Sequence, residues 1–202
     1  MNNVHKLNMS NLEIIKSNFL ENQEINSLTV EKLLPSIEKA TSVLIDMIDN
    51  SGKLLTCGNG GSSGDAQHIS SEFINRFEIE RTELPAISLN SDTATITSIA
   101  NDYSYKDIFS KQINALGKQD DVLMAFTTSG NSENILEAIR SAKKKKMLTI
   151  LISGNNGGQS KKILSTHDID IIIPHTRTSR IQEMHLIVIH AICECIDRYI
   201  SK

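Results

Sequence analysis

Residues 122–132 read VLMAFTTSGNS, and the helical pattern of residues 134–144 follows directly. The apolar run at 122–126 predicts a buried β-strand, so the hydroxyl-rich part, here named the hydroxyl loop (127–132), lies between a strand and a helix. Unpaired N–H groups and the dipole at a helix N-terminus attract anions. Ser, Thr and Asn are also common helix caps, but one cap needs only one such residue. Four hydroxyls and a glycine within six residues therefore favour a loop that binds phosphate.

An apolar strand followed by a helix recurs on both sides of this stretch. Strands are predicted at 53–57, 85–89, 122–126, 148–153 and 169–173, and helices at 63–75, 93–100, 105–116, 133–144, 159–164 and 179–199. The strands are almost wholly apolar, as in a sheet that helices cover on both faces. We therefore expect an α/β fold, a three-layer sandwich with about five parallel strands and right-handed crossovers. Ligands of such folds bind beyond the carboxyl ends of the strands.

The first 50 residues predict helices that have no strand of their own. An apolar stripe with helical period runs from Val30 to Ile48, and Pro35 is expected in the first turn of a second helix. Because no strand accompanies these helices, part of the apolar stripe is expected to meet another subunit. We divide the chain into N-terminal oligomerisation helices at 1–50 and an α/β domain at 51–202, within one folding unit.

The composition fits a globular protein of one domain. The 202 residues are 39% hydrophobic and 22% charged, with a formal net charge of −3, so we expect no nucleic-acid partner. No apolar run reaches the roughly 20 residues that span a bilayer, and the first residues lack the apolar core of a signal peptide. The three cysteines fit neither a disulfide framework nor a zinc knuckle. These features predict a cytoplasmic protein without a membrane partner.

A second loop with ligand-binding character follows the first predicted strand. This glycine loop, residues 57–64, reads CGNGGSSG, and glycines allow positive φ angles and a close approach to a ligand. A dinucleotide fingerprint needs a third glycine in G-x-G-x-x-G, where this chain has Ser63. A nucleotide-binding Rossmann protein is therefore disfavoured. The glycine loop is either a tight turn or part of a site for another ligand.

The helix after the glycine loop carries His68 and Glu72, which are four residues apart and so share one face. An imidazole and a carboxylate at this spacing can bind one divalent metal, or act as a base with its orienting group. An exposed pair without function is the alternative. The position within about three turns of the glycine loop favours a site.

The last predicted helix carries Gln182 and His190, eight residues and about 80° apart around the helix axis, so both can face one pocket. His190 lies in an apolar run, where a buried core histidine is the alternative. His185 is interpreted as structural. Asn101 and Asp102 follow another helical stretch, where they favour a turn or bind sugar hydroxyls.

Five ordered segments together resemble the sugar isomerase (SIS) domain family, and most closely the bacterial phosphoheptose isomerases. The segments are CGNGGS at 57–62, DAQH at 65–68, SIAND at 98–102, TTSGNS at 127–132 and RIQEMH at 180–185. The resemblance covers nearly the whole chain, from the helices before residue 50 to Tyr199. It implies a single SIS domain with N-terminal helices for oligomerisation.

The resemblance also implies a role for each segment. The Ser/Thr loop of the family holds the substrate phosphate, and other segments line the sugar. The implied phosphate- and substrate-binding residues are Thr127, Thr128, Ser129, Ser132, Asn59, Gly60, Gly61, Ser62, Glu72, Asn101, Asp102 and Gln182. The implied ligands of one zinc ion are His68, Glu72, Gln182 and His190. Of the implied acid–base residues, we assign Glu72 as the base and His190 as its partner.

The activity implied by the resemblance is the conversion of sedoheptulose 7-phosphate to D-glycero-D-manno-heptose 7-phosphate, the first step toward the heptose of lipopolysaccharide or capsule. A homotetramer with sites between subunits is implied as well. The alternative is a non-catalytic SIS protein that senses a sugar phosphate or binds the replication initiator, which residues 74–77 and the final helix also resemble. That relative lacks the acidic residue at the Glu72 position and the histidine at the His190 position, and this chain has both.

Overall fold

The structure, a computed structural model, describes residues 9–201. The helices are α1 (Asn11–Asp49), α2 (Gly61–Ile74), α3 (Thr93–Asp102), α4 (Ser110–Leu116), α5 (Glu133–Lys144), α6 (Gly158–Lys162) and α7 (Thr178–Ile200), with a 3₁₀ turn at Tyr105–Asp107. The strands are β1 (Leu54–Gly58), β2 (Ala86–Ser88), β3 (Val122–Thr127), β4 (Leu148–Gly154) and β5 (Ile169–Ile173). The predicted alternation of strands and helices is confirmed, with boundaries that move by only a few residues.

The five strands form one parallel sheet in the order β2-β1-β3-β4-β5. The chain leaves β1 toward one edge of the sheet and later adds β3 on the other side of β1. The order of the strands therefore reverses between β1 and β3, and the loops at their carboxyl ends diverge there. Gly58 and Phe126 are partners in the register of these strands, so the glycine loop and the hydroxyl loop begin side by side.

Helices cover both faces of the sheet, as the apolar strands predict. Alternate strand residues divide between two cores: Met124 and Phe126 pack under α1, α2 and α7, whereas Leu123 and Ala125 pack under α4 and α5. Every residue of β1 and β3 is buried. Since β1 and β3 carry the two candidate loops, both loops start from the most buried part of the fold.

The prediction of two N-terminal helices divided near Pro35 is wrong. One helix of 39 residues, α1, passes through Pro35 without a break. Its inner face, which includes Ile25, Ala40 and Leu44, belongs to the same core as α7 and the sheet. Proline removes one helical hydrogen bond, but Pro35 lies on an exposed turn where water can replace that bond. Packing of the inner face therefore outweighs the local break signal.

The apolar stripe at Val30–Ile48 is also divided differently from the prediction. Its C-terminal half is used within the chain, since Leu44 and Met47 are buried in the core, and only its first part remains exposed. The large apolar side chains of α1 that remain at least half exposed are Leu12, Ile15, Phe19, Leu20, Val30 and Leu34. Any surface of α1 that meets another subunit therefore lies in the first two thirds of the helix.

Two further predictions concern the cysteines and the possibility of a membrane-spanning helix. The three cysteines are free thiols, as expected; Cys57 and Cys193 are buried and Cys195 is exposed. Within residues 9–201, no helix combines the length and the apolar character that crossing a bilayer requires. The predicted division at residue 50 remains a prediction.

Candidate active site

A cavity of about 250 Å³ lies at the carboxyl ends of β1 and β3, between the two loops that the sequence singles out. Its lining residues are Asn59, Gly60, Gly61, Ser62, Phe126, Thr127, Thr128, Ser129, Ser132, Thr178 and Gln182. None of these side chains is charged. The structure therefore brings together the predicted residues of both loops with Gln182 from the last helix, in a site lined by neutral donors.

Hydrogen bonds between backbone amides and side-chain hydroxyls hold the hydroxyl loop in shape. The Gly130 amide donates to the Thr127 hydroxyl and the Asn131 amide to the Ser129 hydroxyl, each at 3.2 Å. Ser132 is the N-cap residue of α5, yet its hydroxyl makes no capping hydrogen bond. A hydroxyl at the start of α5 therefore stays available to an anion, as the phosphate-binding interpretation requires.

Helix α7 comes close to the glycine loop at Gly61. A Cβ atom added to Gly61 would lie 2.4 Å from Nε2 of Gln182. The Gln182 amide thus rests directly on the first turn of α2. This contact fixes the wall of the cavity and links the two helices that carry the remaining candidate residues.

A partly buried pair of amide side chains, which the sequence did not reveal, joins the glycine loop to the start of α5. Asn59 and Asn134 each donate from Nδ2 to the Oδ1 of the other at 2.8 Å, and the Tyr105 hydroxyl donates to Asn59 at 3.1 Å. Asn134 is only 3% exposed. The sequence signal that could have revealed this pair is Asn134 itself, a polar residue on the apolar face of the predicted helix at 133–144.

His68, Glu72 and His190 form a second group, here named the acid–base cluster. Nε2 of His68 lies 2.9 Å from Oε1 of Glu72 and 3.4 Å from Nε2 of His190. The ring of Phe77 packs on the His190 ring with centroids 5.3 Å apart. All three cluster side chains are only partly buried. His190 is therefore neither a core histidine nor isolated, and Glu72 has an orienting imidazole beside it.

Gln182 does not join the acid–base cluster within one chain. It precedes His190 by eight residues on α7, which corresponds to about 12 Å along the helix. No group of three or more His, Cys, Asp or Glu side chains within residues 9–201 forms a preformed metal site. The cluster nevertheless offers two imidazoles and a carboxylate whose spacings are close to the edge of about 3.3 Å in a tetrahedral zinc site.

The other predicted residues lie outside the cavity. Asn101 and Asp102 end α3, are exposed and hydrogen-bond to each other at 2.9 Å, so they form the end of a helix rather than a separate turn. His185 is fully buried, with Nε2 3.2 Å from the Ser153 carbonyl, in agreement with a structural role.

Comparison with known proteins shows which family this chain resembles. The family model described as SIS domain matches residues 10–154. The chain is 50% identical to the phosphoheptose isomerase of Alteromonas mediterranea over 186 residues, which cover 92% of this chain and 94% of that protein. The structure of phosphoheptose isomerase GmhA from Neisseria gonorrhoeae is similar with a TM-score of 0.90 and 39% identity, over 94% of this chain and all of that one. A phosphoheptose isomerase from Francisella tularensis gives a TM-score of 0.92 and 41% identity over the same shares.

The hydroxyl loop supplies a test of the cavity through Gly130. This glycine has φ +68°, and an added Cβ would lie 2.1 Å from the Gly157 carbonyl oxygen, so Gly130→Ala forces the loop to move. We expect Gly130→Ala to cost at least about 1 kcal/mol of stability. We also expect it to lose most of the stabilisation that inorganic phosphate gives the wild type. Urea unfolding with and without phosphate measures both effects.

Gly64→Ala is the matched control, because an added Cβ there meets nothing within 4 Å and the residue lies inside α2. This variant is expected to gain about 0.5–1 kcal/mol and to keep the phosphate effect. Equal stability and an equal phosphate effect in Gly130→Ala and the wild type contradict the proposed role of the loop.

Proposed function

Because the chain belongs to the SIS-domain family of phosphoheptose isomerases, we propose that it interconverts sedoheptulose 7-phosphate and D-glycero-D-manno-heptose 7-phosphate. It is an intramolecular aldose–ketose isomerase. We place it in the cytoplasm, at the first step of heptose synthesis for lipopolysaccharide. The observation that carries this assignment is the pairing of Glu72 with an imidazole in a chain that also builds a neutral cavity for phosphate.

The cavity fits the phosphate end of such a substrate. Backbone N–H groups at the start of α5 and the free hydroxyl of Ser132 are neutral donors, and the helix dipole favours the negative charge. The amide pair of Asn59 and Asn134 holds the glycine loop against α5 before substrate arrives. A preformed cavity of this kind binds the phosphate with little reorganisation, which leaves the sugar chain to be aligned by the other residues.

The acid–base cluster fits the reacting end. Isomerisation through an enediol needs a base that takes a proton from the carbon beside the carbonyl and returns it to the neighbouring carbon. Glu72 performs this transfer, and His190 moves the proton between the two oxygens. His68 orients the Glu72 carboxylate through the 2.9 Å contact. Positioned acid–base groups of this kind typically contribute about 10²–10⁴-fold in rate.

Incubation of the protein with sedoheptulose 7-phosphate, followed by NMR, tests the assignment. The proton of the aldose C1 should appear, and in D₂O the carbon that receives the transferred proton should gain deuterium. A protein that binds sedoheptulose 7-phosphate without forming an aldose is instead the non-catalytic sugar-phosphate sensor of the same family. Binding of the replication initiator in place of turnover identifies the other alternative.

The role of Glu72 leads to the first prediction on activity. Glu72→Gln keeps the size of the side chain and removes the base, so kcat should fall by at least about 10²-fold while the protein stays folded. Glu137→Gln is the matched control, because Glu137 pairs only with Arg140 on the exposed side of α5. It should keep normal turnover. Glu72→Gln with nearly normal kcat refutes the assignment of the base.

We propose further that the cluster binds one zinc ion per subunit. His68, Glu72 and His190 supply nitrogen and oxygen donors of the kind that zinc accepts, at spacings near those of a tetrahedral site. Gln182 of the same chain lies too far along α7 to join them, so Gln182 would complete the set only if another subunit of the assembly proposed below supplied it. A bound zinc ion supplies a Lewis acid that polarises the substrate carbonyl.

Elemental analysis and zinc binding test this proposal. Protein purified without chelators should contain about one zinc per chain, and His68→Ala should weaken zinc binding by at least about 10-fold, because one strong ligand is lost. Competition with a chromogenic chelator measures this affinity independently of turnover. Zinc affinity that is unchanged in His68→Ala places the metal elsewhere.

The exposed apolar surface of α1 supports a homotetramer. Leu12, Phe19, Val30 and Leu34 lie within a sector of about 60° around the helix at 100° per residue. Side chains of this size rarely remain exposed together on a monomer. A closed assembly of packed helices buries such a stripe and brings residues of one subunit to the site of another. This assembly accounts for the distance between Gln182 and the cluster.

A charge within this stripe should separate the subunits. Phe19 is 74% exposed in the single chain, so Phe19→Asp can fold but places a carboxylate in the interface. We expect dissociation and a loss of turnover together, measured by light scattering and kinetics at micromolar concentration. Lys39→Asp is the control, because Lys39 is exposed on nearly the opposite side of α1. A fully active monomer excludes the shared site.

A further inference from the structure

We propose that the buried ion pair of Arg81 and Asp197 positions Glu72 and the wall around His190, and that it thereby sets the rate of the isomerisation. The proposal rests on the proposed function, since it concerns the base of that reaction. Neither residue reaches the cluster with its own charged group. Both act through the backbone of the elements that carry the cluster.

Arg81 holds the end of α2 immediately beside the base. Glu72 lies two residues before the end of α2, where the last carbonyl groups have no helical partner. Arg81 donates from Nη2 to the Glu72 carbonyl at 2.6 Å and from Nη1 to the Phe73 carbonyl at 3.0 Å. The planar guanidinium thus holds the peptide group that directly follows the Glu72 Cα atom and the next peptide group along the chain.

Asp197 ties this arrangement to α7. Its Oδ1 accepts from Nε of Arg81 at 2.7 Å, and both side chains are only 3% exposed. Its Oδ2 accepts from the backbone N–H groups of Glu78 at 3.0 Å and of Ile79 at 3.3 Å. Those amides directly follow Phe77, whose ring packs on His190. One carboxylate therefore fixes both the guanidinium behind Glu72 and the segment that presents Phe77.

The position of Asp197 on α7 allows it to contact Arg81 at the end of α2. Asp197 follows His190 by seven residues, which places it two turns further and about 20° away around the axis. His190 meets α2 at His68, and Asp197 meets the end of α2 through Arg81. The two helices are therefore held together at two separate levels.

The hydrogen bonds around Asp197 favour its ionised form. Burial raises the pKa of Asp197, but the hydrogen bonds from Arg81 and from the two amides outweigh it and bring the pKa below its usual range. Burial raises the pKa of the nearby Cys193 to about 12, with a further contribution from the Glu72 and Asp197 charges. The thiol therefore stays neutral.

A purely structural ion pair has the same contacts, so the test must separate stability from rate. Arg81→Lys keeps the positive charge and can pair with Asp197, but a single ammonium group cannot reproduce the planar fork that holds two carbonyls. Arg81→Met removes the charge as well. Arg140→Lys is the matched control at an exposed ion pair on α5. Each variant is compared with the wild type by urea unfolding, kcat and KM.

We expect Arg81→Lys to stay folded but to lower the urea midpoint moderately, because the ammonium group still pairs with Asp197 but leaves a carbonyl group without its donor. Its kcat should fall at least about 10-fold and its KM should change by less than about threefold, because the base is displaced while the phosphate cavity is intact. Arg81→Met should lose stability in addition, and Arg140→Lys should match the wild type. A stable Arg81→Lys variant with kcat within threefold of the wild type overturns the proposal. The proposal is also overturned if the decrease in kcat of Arg81→Lys and Arg81→Met is proportional to their loss of stability in urea.

Two further experiments cover the cases in which Arg81→Lys does not fold or the wild type has no activity. If Arg81→Lys does not fold, Asp197→Asn, which keeps the shape and one acceptor oxygen, replaces it under the same criteria. If the wild type itself does not turn over sedoheptulose 7-phosphate, the proposed function fails, and crystal structures of the full-length variant and wild type decide the positioning role. A displacement of the Glu72 carboxylate from His68 by at least about 0.5 Å supports it. An unchanged cluster refutes it.

Discussion

The parallel pairing of β1 with β3 is the constraint on which the rest of the site depends. Each strand carries a loop with binding character at its carboxyl end, and the register that pairs Gly58 with Phe126 makes both loops start at the same height. A shift of one residue would turn every side chain of a strand to the other face of the sheet. The buried apolar cores on both faces do not permit such a shift. The hydrophobic pattern of the strands therefore fixes the position of the polar loops.

Packing of α2 against α7 is the second constraint, and it extends the site away from the sheet. Gly61 meets Gln182 at one level and His68 meets His190 at the next, so the two helices run in the same direction. This arrangement places the two candidate sites at different levels along the helices. The cavity proposed to bind phosphate lies at the level of the first contact, and the acid–base cluster lies about two turns further on.

Local patterns in the sequence were sufficient for most of the fold. The bounds of α5 and β5 match the prediction because periodicity and burial agree there. The continuous α1 could not be predicted, since Pro35 is a local break signal and the packing that overrides it is tertiary. The neighbourhood of His68 and His190 was suggested only by resemblance. Partners far apart in the chain, such as Arg81 with Asp197, have no local pattern at all.

The distribution of charge around the two candidate sites is compatible with the carboxylate base that we propose. No charged side chain lines the cavity, so in the proposed reaction neutral N–H and hydroxyl donors would hold the phosphate. Arg81 places a guanidinium against the carbonyl of Glu72, the proposed base. Asp197 neutralises that charge at 2.7 Å. The ion pair can therefore hold the backbone of the base rigidly without adding net charge beside it.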